Sequence, residues 1–301
     1  MTRYDRFMAR LAAGEAILID GATGTEIDRR GTPRLEHAWT GGGAVSHPEI
    51  LLQVHRDYLR AGAEIVISNT FATCRHCLEA AGVGNDFELY NRRGVELAME
   101  AREAENAQDA LVAGGISYWS FTDEQPPLDE LRASVGLQAA VMRDAGADLL
   151  MLEMMVGIER MIVTLEAAQT SGLPVWAGLS CAPDDAGTMR LLDGDSLADA
   201  LEALKGRDVQ LVSIMHTFDY DVDACLDVVG QHWDGLTGVY AHTSSPHEGG
   251  KWEGVTPITP DEYAAAARRW LARDVRLIGG CCGIATEHIA VLREVVEERD
   301  R

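Results

Sequence analysis

Eight short apolar runs punctuate the chain, and longer stretches with a helical polar face separate most of them. The runs are Ala16–Gly21, Glu64–Phe71, Ala110–Ser117, Asp148–Met154, Pro174–Cys181, Val209–His216, Gly235–His242 and Val275–Gly283. Each is almost continuously hydrophobic, as parallel strands covered on both faces must be. Between them, Pro48–Ala61, Glu88–Glu105, Leu128–Ala145, Ile158–Thr170, Ser196–Leu204 and Pro260–Ala272 have the spacing of helices. Ser46 ahead of Pro48 and Thr259 ahead of Pro260 supply start signals, and Gly62, Gly146 and Gly172 supply stops.

Alternating strands and helices predict a parallel sheet. The polar residues decide between an open sheet and a barrel. Asp20, Asn69, Ser117, Glu153, Cys181, His216, His242, Cys281 and Cys282 all fall at or just past the C-terminal ends of the runs. A barrel gathers all eight ends around one pocket, whereas an open sheet strings them along a line. The expected fold is α/β, a single (β/α)8 TIM barrel over residues 1–301 with no second domain. Loops at Trp39–Val45, Tyr118–Pro127 and Thr243–Thr256 are long, polar or Gly-rich, and are expected to form rims or lids.

Charge narrows the partners. Asp and Glu number 48 against 26 Lys and Arg, a formal net charge of −22, which repels a phosphate backbone and argues against nucleic acid. No apolar stretch is long enough to span a membrane, and the first residues lack the apolar core of a signal peptide. A cytoplasmic protein acting on small molecules is expected, and assembly into a homo-oligomer is compatible with that.

Six cysteines in such a protein point to metal or catalytic use before disulfides. The sharpest feature is Gly279-Gly280-Cys281-Cys282-Gly283, which closes the last run. Neighbouring side chains on a regular strand point to opposite faces, so two adjacent thiolates share an ion only where the backbone leaves the pleat, and flanking glycines permit that. A catalytic zinc site takes three protein ligands and keeps one position open. His216, ending the sixth run, is the first choice for the third ligand, with Cys181 and His242 in reserve. Cys74 and Cys77 in Cys-Arg-His-Cys invite a zinc reading, but they have no second Cys-x-x-Cys partner and sit at the start of an expected helix, so plain packing without metal is favoured for them. Cys225 lies in an amphipathic stretch and is expected in the core.

After the first run, Asp20-Gly21-Ala22-Thr23-Gly24-Thr25-Glu26 fits neither the dinucleotide nor the P-loop glycine spacing. A carboxylate beside backbone N–H groups suits a zwitterion, Asp20 facing an ammonium and the amides a carboxylate. Glu153 is a second anion suited to that ammonium. The acidic pair Asp123-Glu124 suits a cationic partner, although such runs are commonly solvated surface.

Together these motifs resemble the zinc-dependent homocysteine S-methyltransferase family along nearly the whole chain. The resemblance is carried by Asp20–Thr25, Trp39, Pro48-Glu49 leading to His55 and Tyr58, Ala61-Gly62-Ala63, Asn69-Thr70-Phe71, Glu153, Asp193-Gly194 and the glycine-framed cysteine pair. It implies a barrel in which three thiolates bind zinc and zinc binds homocysteine sulfur, with Asp20 and Glu153 at the amino-acid end of the substrate. Gly21, Thr23 and Asn69 belong to the same expected substrate site. The family's first zinc cysteine ends strand six in a Gly-x-Asn-Cys context. Here that stretch reads Val212-Ser213-Ile214-Met215-His216, so histidine stands at the cysteine position, and the family's Pro-Asn pair on strand seven is altered, the stretch reading Tyr240-Ala241-His242-Thr243.

The expected chemistry is attack of an activated thiolate on a methyl group of an onium donor. By resemblance, single-domain members use S-methylmethionine or S-adenosylmethionine. Two further classes stay open: a metal-dependent hydrolase or lyase with His216 and His242 as ligands, and a catalytically silent thiol-binding homologue.

Overall fold

A computed structural model of the chain describes residues 1–122, 124–243 and 258–300. All eight predicted runs contain strands: β1 (Ile17–Leu18), β2 (Ile65–Ile67), β3 (Leu111–Ile116), β4 (Leu149–Met155), β5 (Val175–Leu179), β6 (Leu211–Phe218), β7 (Leu236–His242) and β8 (Val275–Ile278). They form one parallel sheet in which β1 pairs with β8, β8 with β7, and so on around to β2. A parallel bridge between Ile19 and Ile65, flanked by hydrogen bonds from Glu64 N to Leu18 O and from Asp20 N to Ile65 O, closes the sheet on itself. Closure leaves no sheet edge and turns the eight C-terminal strand ends toward one mouth.

The opposite mouth is plugged. Helix Arg3–Ala12, which the periodicity did not single out, buries Phe7 and Leu11. Its Tyr4 hydroxyl accepts from Trp176 Nε1 at 3.0 Å, and Arg3 pairs with Asp148 at 2.7 Å ahead of β4. With that end sealed, the pocket lies at the C-terminal face.

Helices Pro48–Ala61 and Leu128–Ala145 occupy the residues expected, each stopped by a left-handed glycine, Gly62 at φ 110° and Gly146 at φ 102°. Thr259 caps Pro260–Leu271 through a capping box with Glu262. Ser46 is not the cap of the helix at Pro48. It ends a short helix, Gly43–Ser46, where its hydroxyl donates to Gly42 O, and His47 occupies the cap position. The segment after β1, expected as a turn, is helical over Thr23–Arg29. A short antiparallel ribbon, Cys181–Pro183 with Met189–Leu191, follows β5 and has no counterpart in the sequence pattern. Asp123 and most of the Thr243–Thr256 loop lie outside the described residues. No helix among the described residues is long and apolar enough to cross a membrane.

Candidate metal centre

The last strand stops at Ile278, and the glycine-framed cysteines follow it off the pleat. Hydrogen bonds from Gly279 N to Val239 O, Gly280 N to Asp20 O and Cys281 N to Ala241 O stitch the segment between β7 and β1. Its closeness to its neighbours demands glycine. A Cβ on Gly279 would lie 2.2 Å from Ile19 Cγ1, and one on Gly280 2.3 Å from Ile284 Cβ. Freed from strand alternation, Cys281 and Cys282 place their Sγ atoms 3.9 Å apart on one side of the chain.

His216 reaches the same point from β6. The strand is irregular between Met215 and Phe218, and His216 sits in the left-handed region at φ 44°, an unfavourable conformation for a side chain of its size. This kink directs Nδ1 to within 3.5 Å of Cys281 Sγ. One ligand atom from each of His216, Cys281 and Cys282 lies within 4.8 Å of the others. Two sulfurs and an imidazole nitrogen at these separations fit three corners of a tetrahedron around zinc, whose bonds to S and N are about 2.3 and 2.0–2.1 Å. The set can hold a metal.

The reserve ligands are placed elsewhere. Cys181 is buried in the ribbon beside Cys225, whose hydrogen bond pushes its thiol well above the usual range. His242 stacks edge-on against His216 at 4.3 Å between ring centroids, its Nδ1 3.3 Å from His216 Nδ1. Burial, then the neighbouring imidazole, lowers its pKa to about 3, so it is held neutral behind the ligand. Within the cysteine pair, the hydrogen bond from Cys281 and then the contact with His216 hold Cys282 well below the ordinary thiol range, while Cys281 is raised by its hydrogen bond to Cys282 and by burial.

These residues open onto a cavity of about 630 Å³. Gly21, Thr23, Asn69 and Glu153, all expected in the site, line it. Asn69 spends its amide on Thr40 O at 2.9 Å, which ties the β2 end to the Trp39 loop. Glu153 points inward because Gly115 on β3 leaves room: a Cβ there would sit 2.6 Å from Glu153 Oε2. Burial, followed by the charge on Cys282, pushes the Glu153 carboxyl up to about 8. Asp20 is not part of the cavity lining. It is buried in the barrel wall, where its carboxylate accepts from Ile67 N at 2.8 Å. Burial holds its pKa well above the usual range, and Glu153 adds to the shift.

Two features escaped the sequence pattern. Phe121 packs against Trp39 and Phe71, with centroids 6.4 and 6.3 Å away, so the three rings form an aromatic wall of the cavity. Trp39 and Phe71 stood out only as parts of longer motifs, and nothing local links them to Phe121. Tyr240, on β7, also lines the cavity, and its buried hydroxyl has no hydrogen-bond partner among the described residues. It looks like an ordinary apolar strand residue in the sequence.

Comparison with known proteins agrees with this architecture. The family model described as homocysteine S-methyltransferase matches residues 17–296. The betaine–homocysteine S-methyltransferase 1 of Xenopus laevis is 30% identical over 97% of this chain and 76% of its own length. The homocysteine S-methyltransferase of Escherichia coli is 29% identical over 97% of this chain and 99% of its own. The crystal structure of the metallated form of the E. coli homocysteine methyltransferase MmuM superposes with a TM-score of 0.79 at 26% identity, covering 95% of this chain and 98% of that one.

Proposed function

The chain belongs to the homocysteine S-methyltransferase family, and from that membership we propose that it moves a methyl group from a sulfonium donor to the sulfur of homocysteine or a closely related thiol. His216, Cys281 and Cys282 hold zinc in this reading, so an imidazole takes the place of one thiolate. Zinc bound there supplies Lewis acidity that favours the thiolate form of the acceptor and fixes its position. An imidazole in place of a thiolate leaves the ligand set one negative charge poorer, which strengthens that acidifying effect.

Glu153, which lines the cavity, serves the ammonium end of the acceptor, and Asp20 stands behind it in the barrel wall as a second buried acid. Burial pushes the Glu153 carboxyl up, and an arriving ammonium restores its charged form by giving it an opposite charge. Gly21 and Thr23, on the cavity edge after β1, lie where the substrate carboxylate is expected, and Asn69 braces the facing loop. The wall of Trp39, Phe71 and Phe121 suits a cationic methyl donor, since ring faces attract a positive centre. In the reaction the acceptor sulfur forms a bond to the methyl carbon. The bond from that carbon to the onium sulfur breaks, and its electron pair stays on the leaving sulfur. Opposite charges vanish in this step, so desolvation and alignment in the cavity matter more than proton transfer.

The observation that carries the proposal is the convergence of His216, Cys281 and Cys282 on one point of a cavity also lined by Glu153. A methionine-forming assay with homocysteine and S-methylmethionine, S-adenosylmethionine or betaine tests it. Turnover with S-methylmethionine or S-adenosylmethionine is expected, and Cys281→Ala should lose both turnover and the zinc of the cavity site. Full activity in Cys281→Ala, or betaine as the only donor used, would overturn it.

A further inference from the structure

Outside the cavity cluster, the segment after β2, in which Cys74 precedes the short helix Arg75–Ala80, carries a second group of ligating side chains. Cys74, His76 and Cys77 bring one ligand atom each within 4.8 Å of one another. All three converge on a single acceptor from the loop after β3. Trp119 O lies 3.8 Å from Cys74 Sγ, 3.2 Å from His76 Nε2 and 3.4 Å from Cys77 Sγ, and Cys74 Sγ is 3.3 Å from His76 Nε2.

Hydrogen bonding alone accounts poorly for this geometry. A carbonyl oxygen has two lone pairs, so three donors aimed at it leave one badly served. His76 Nδ1 is buried without a partner among the described residues, so the polar contacts of the ring are on its Nε2 side. The separations instead match the edges of a tetrahedron. With zinc bonds of about 2.3 Å to sulfur and 2.0–2.1 Å to nitrogen or oxygen, those edges are about 3.3–3.8 Å. The surroundings hold the donors in place. Asn91 donates to Thr73 O at 3.0 Å, Thr73 Oγ1 donates to Asn91 Oδ1 at 2.7 Å, and Ser117 Oγ accepts from Trp119 N at 3.1 Å.

We propose that Cys74, His76 and Cys77, with the carbonyl of Trp119, form a second, structural zinc site that staples the β2 and β3 loops together. Two thiolates balance the charge of the ion, and all four donors are then used. The staple spans the two loops that supply Phe71, Trp119 and Phe121 to the cavity, so it fixes the aromatic wall without touching the reacting atoms.

Metal counting on the whole protein tests this. Apo protein prepared with a chelator under reducing conditions is reloaded with zinc, desalted and assayed for zinc per chain. Two equivalents are expected for the wild type, one for the Cys74→Ser/Cys77→Ser double variant, and one for Cys281→Ala/Cys282→Ala. Because the first variant may lose its fold, the second is also loaded with cobalt. A thiolate-to-cobalt absorption band there that is lost when Cys77→Ser is added comes from the Cys74–Cys77 group and not from Cys181 and Cys225, the other cysteines that remain. A single equivalent in the wild type that disappears in Cys281→Ala/Cys282→Ala, or no such band in that variant, overturns the second site. A single equivalent that survives there supports this site and instead defeats the cavity site of the proposed function.

Discussion

His216 Nδ1 stands 3.5 Å from Cys281 Sγ, a contact that joins strand ends 65 residues apart and depends on a left-handed histidine at the end of β6. Removing the imidazole leaves two thiolates where a catalytic site takes three protein ligands, so His216→Ala is expected to weaken zinc binding by about a hundredfold or more. His216→Cys restores a third thiolate and should retain one equivalent at this site. Competition with a chromophoric chelator measures both, and equal affinity in wild type and His216→Ala would remove His216 from the ligand set.

Gly279 is packed so closely that its Cβ would lie 2.2 Å from Ile19 Cγ1 and 2.8 Å from Asp20 O. The second contact is backbone and cannot swing aside. Gly279→Ala should therefore destabilise the fold by roughly 1–3 kcal/mol, as overpacked cores do, and lower metal occupancy by displacing the cysteines. Urea unfolding monitored by circular dichroism reads the first effect. Stability unchanged from wild type would mean that the segment has slack.

Phe121 completes the aromatic wall while remaining partly exposed. A cation–π contribution at such a site is about 0.5–1 kcal/mol, so Phe121→Leu is expected to raise KM for the onium donor about two- to fivefold. KM for the thiol should stay constant. Equal changes in both would show that the wall shapes the whole cavity and does not recognise the donor's charge.

His55 is fully buried on Pro48–Ala61, and neither ring nitrogen has a hydrogen-bond partner among the described residues. Burial lowers its pKa from 6.5 to about 4. Between these values the unfolded chain binds more protons than the folded one. The contribution of the neutral ring is complete above the unfolded value and is lost as pH falls toward the folded one. Stability should decline by about 2 kcal/mol from pH 7 to pH 5 on this account. His55→Leu should flatten that part of the profile, and an identical slope in the variant would assign the acid sensitivity to other groups.

Much of this protein is determined by local sequence. Continuous apolar runs produce buried parallel strands, and their alternation with helices produces the barrel, because a strand covered on both faces needs a helix to cover it. The glycines around Cys281 and Cys282 announce a departure from strand geometry, and polar residues at run ends mark the catalytic face. Helix Thr23–Arg29 was legible only as a turn, because its glycine and threonines mask a short amphipathic pattern.

Tertiary structure decided what meets what. His216 is the first choice from its place in the sequence, but what brings its Nδ1 within 3.5 Å of Cys281 Sγ is a backbone kink that residue identity does not record. Asp20 turned into the barrel wall to satisfy the N–H of Ile67, a partner fixed only when β1 met β2. The same holds for Phe121 joining Trp39, and for Trp119 O reaching the Cys74 loop: one strand or loop end has to be carried beside another before the contact exists. Periodicity records which face of an element is buried, whereas a site is made by the relative placement of several elements, and barrel closure sets that placement.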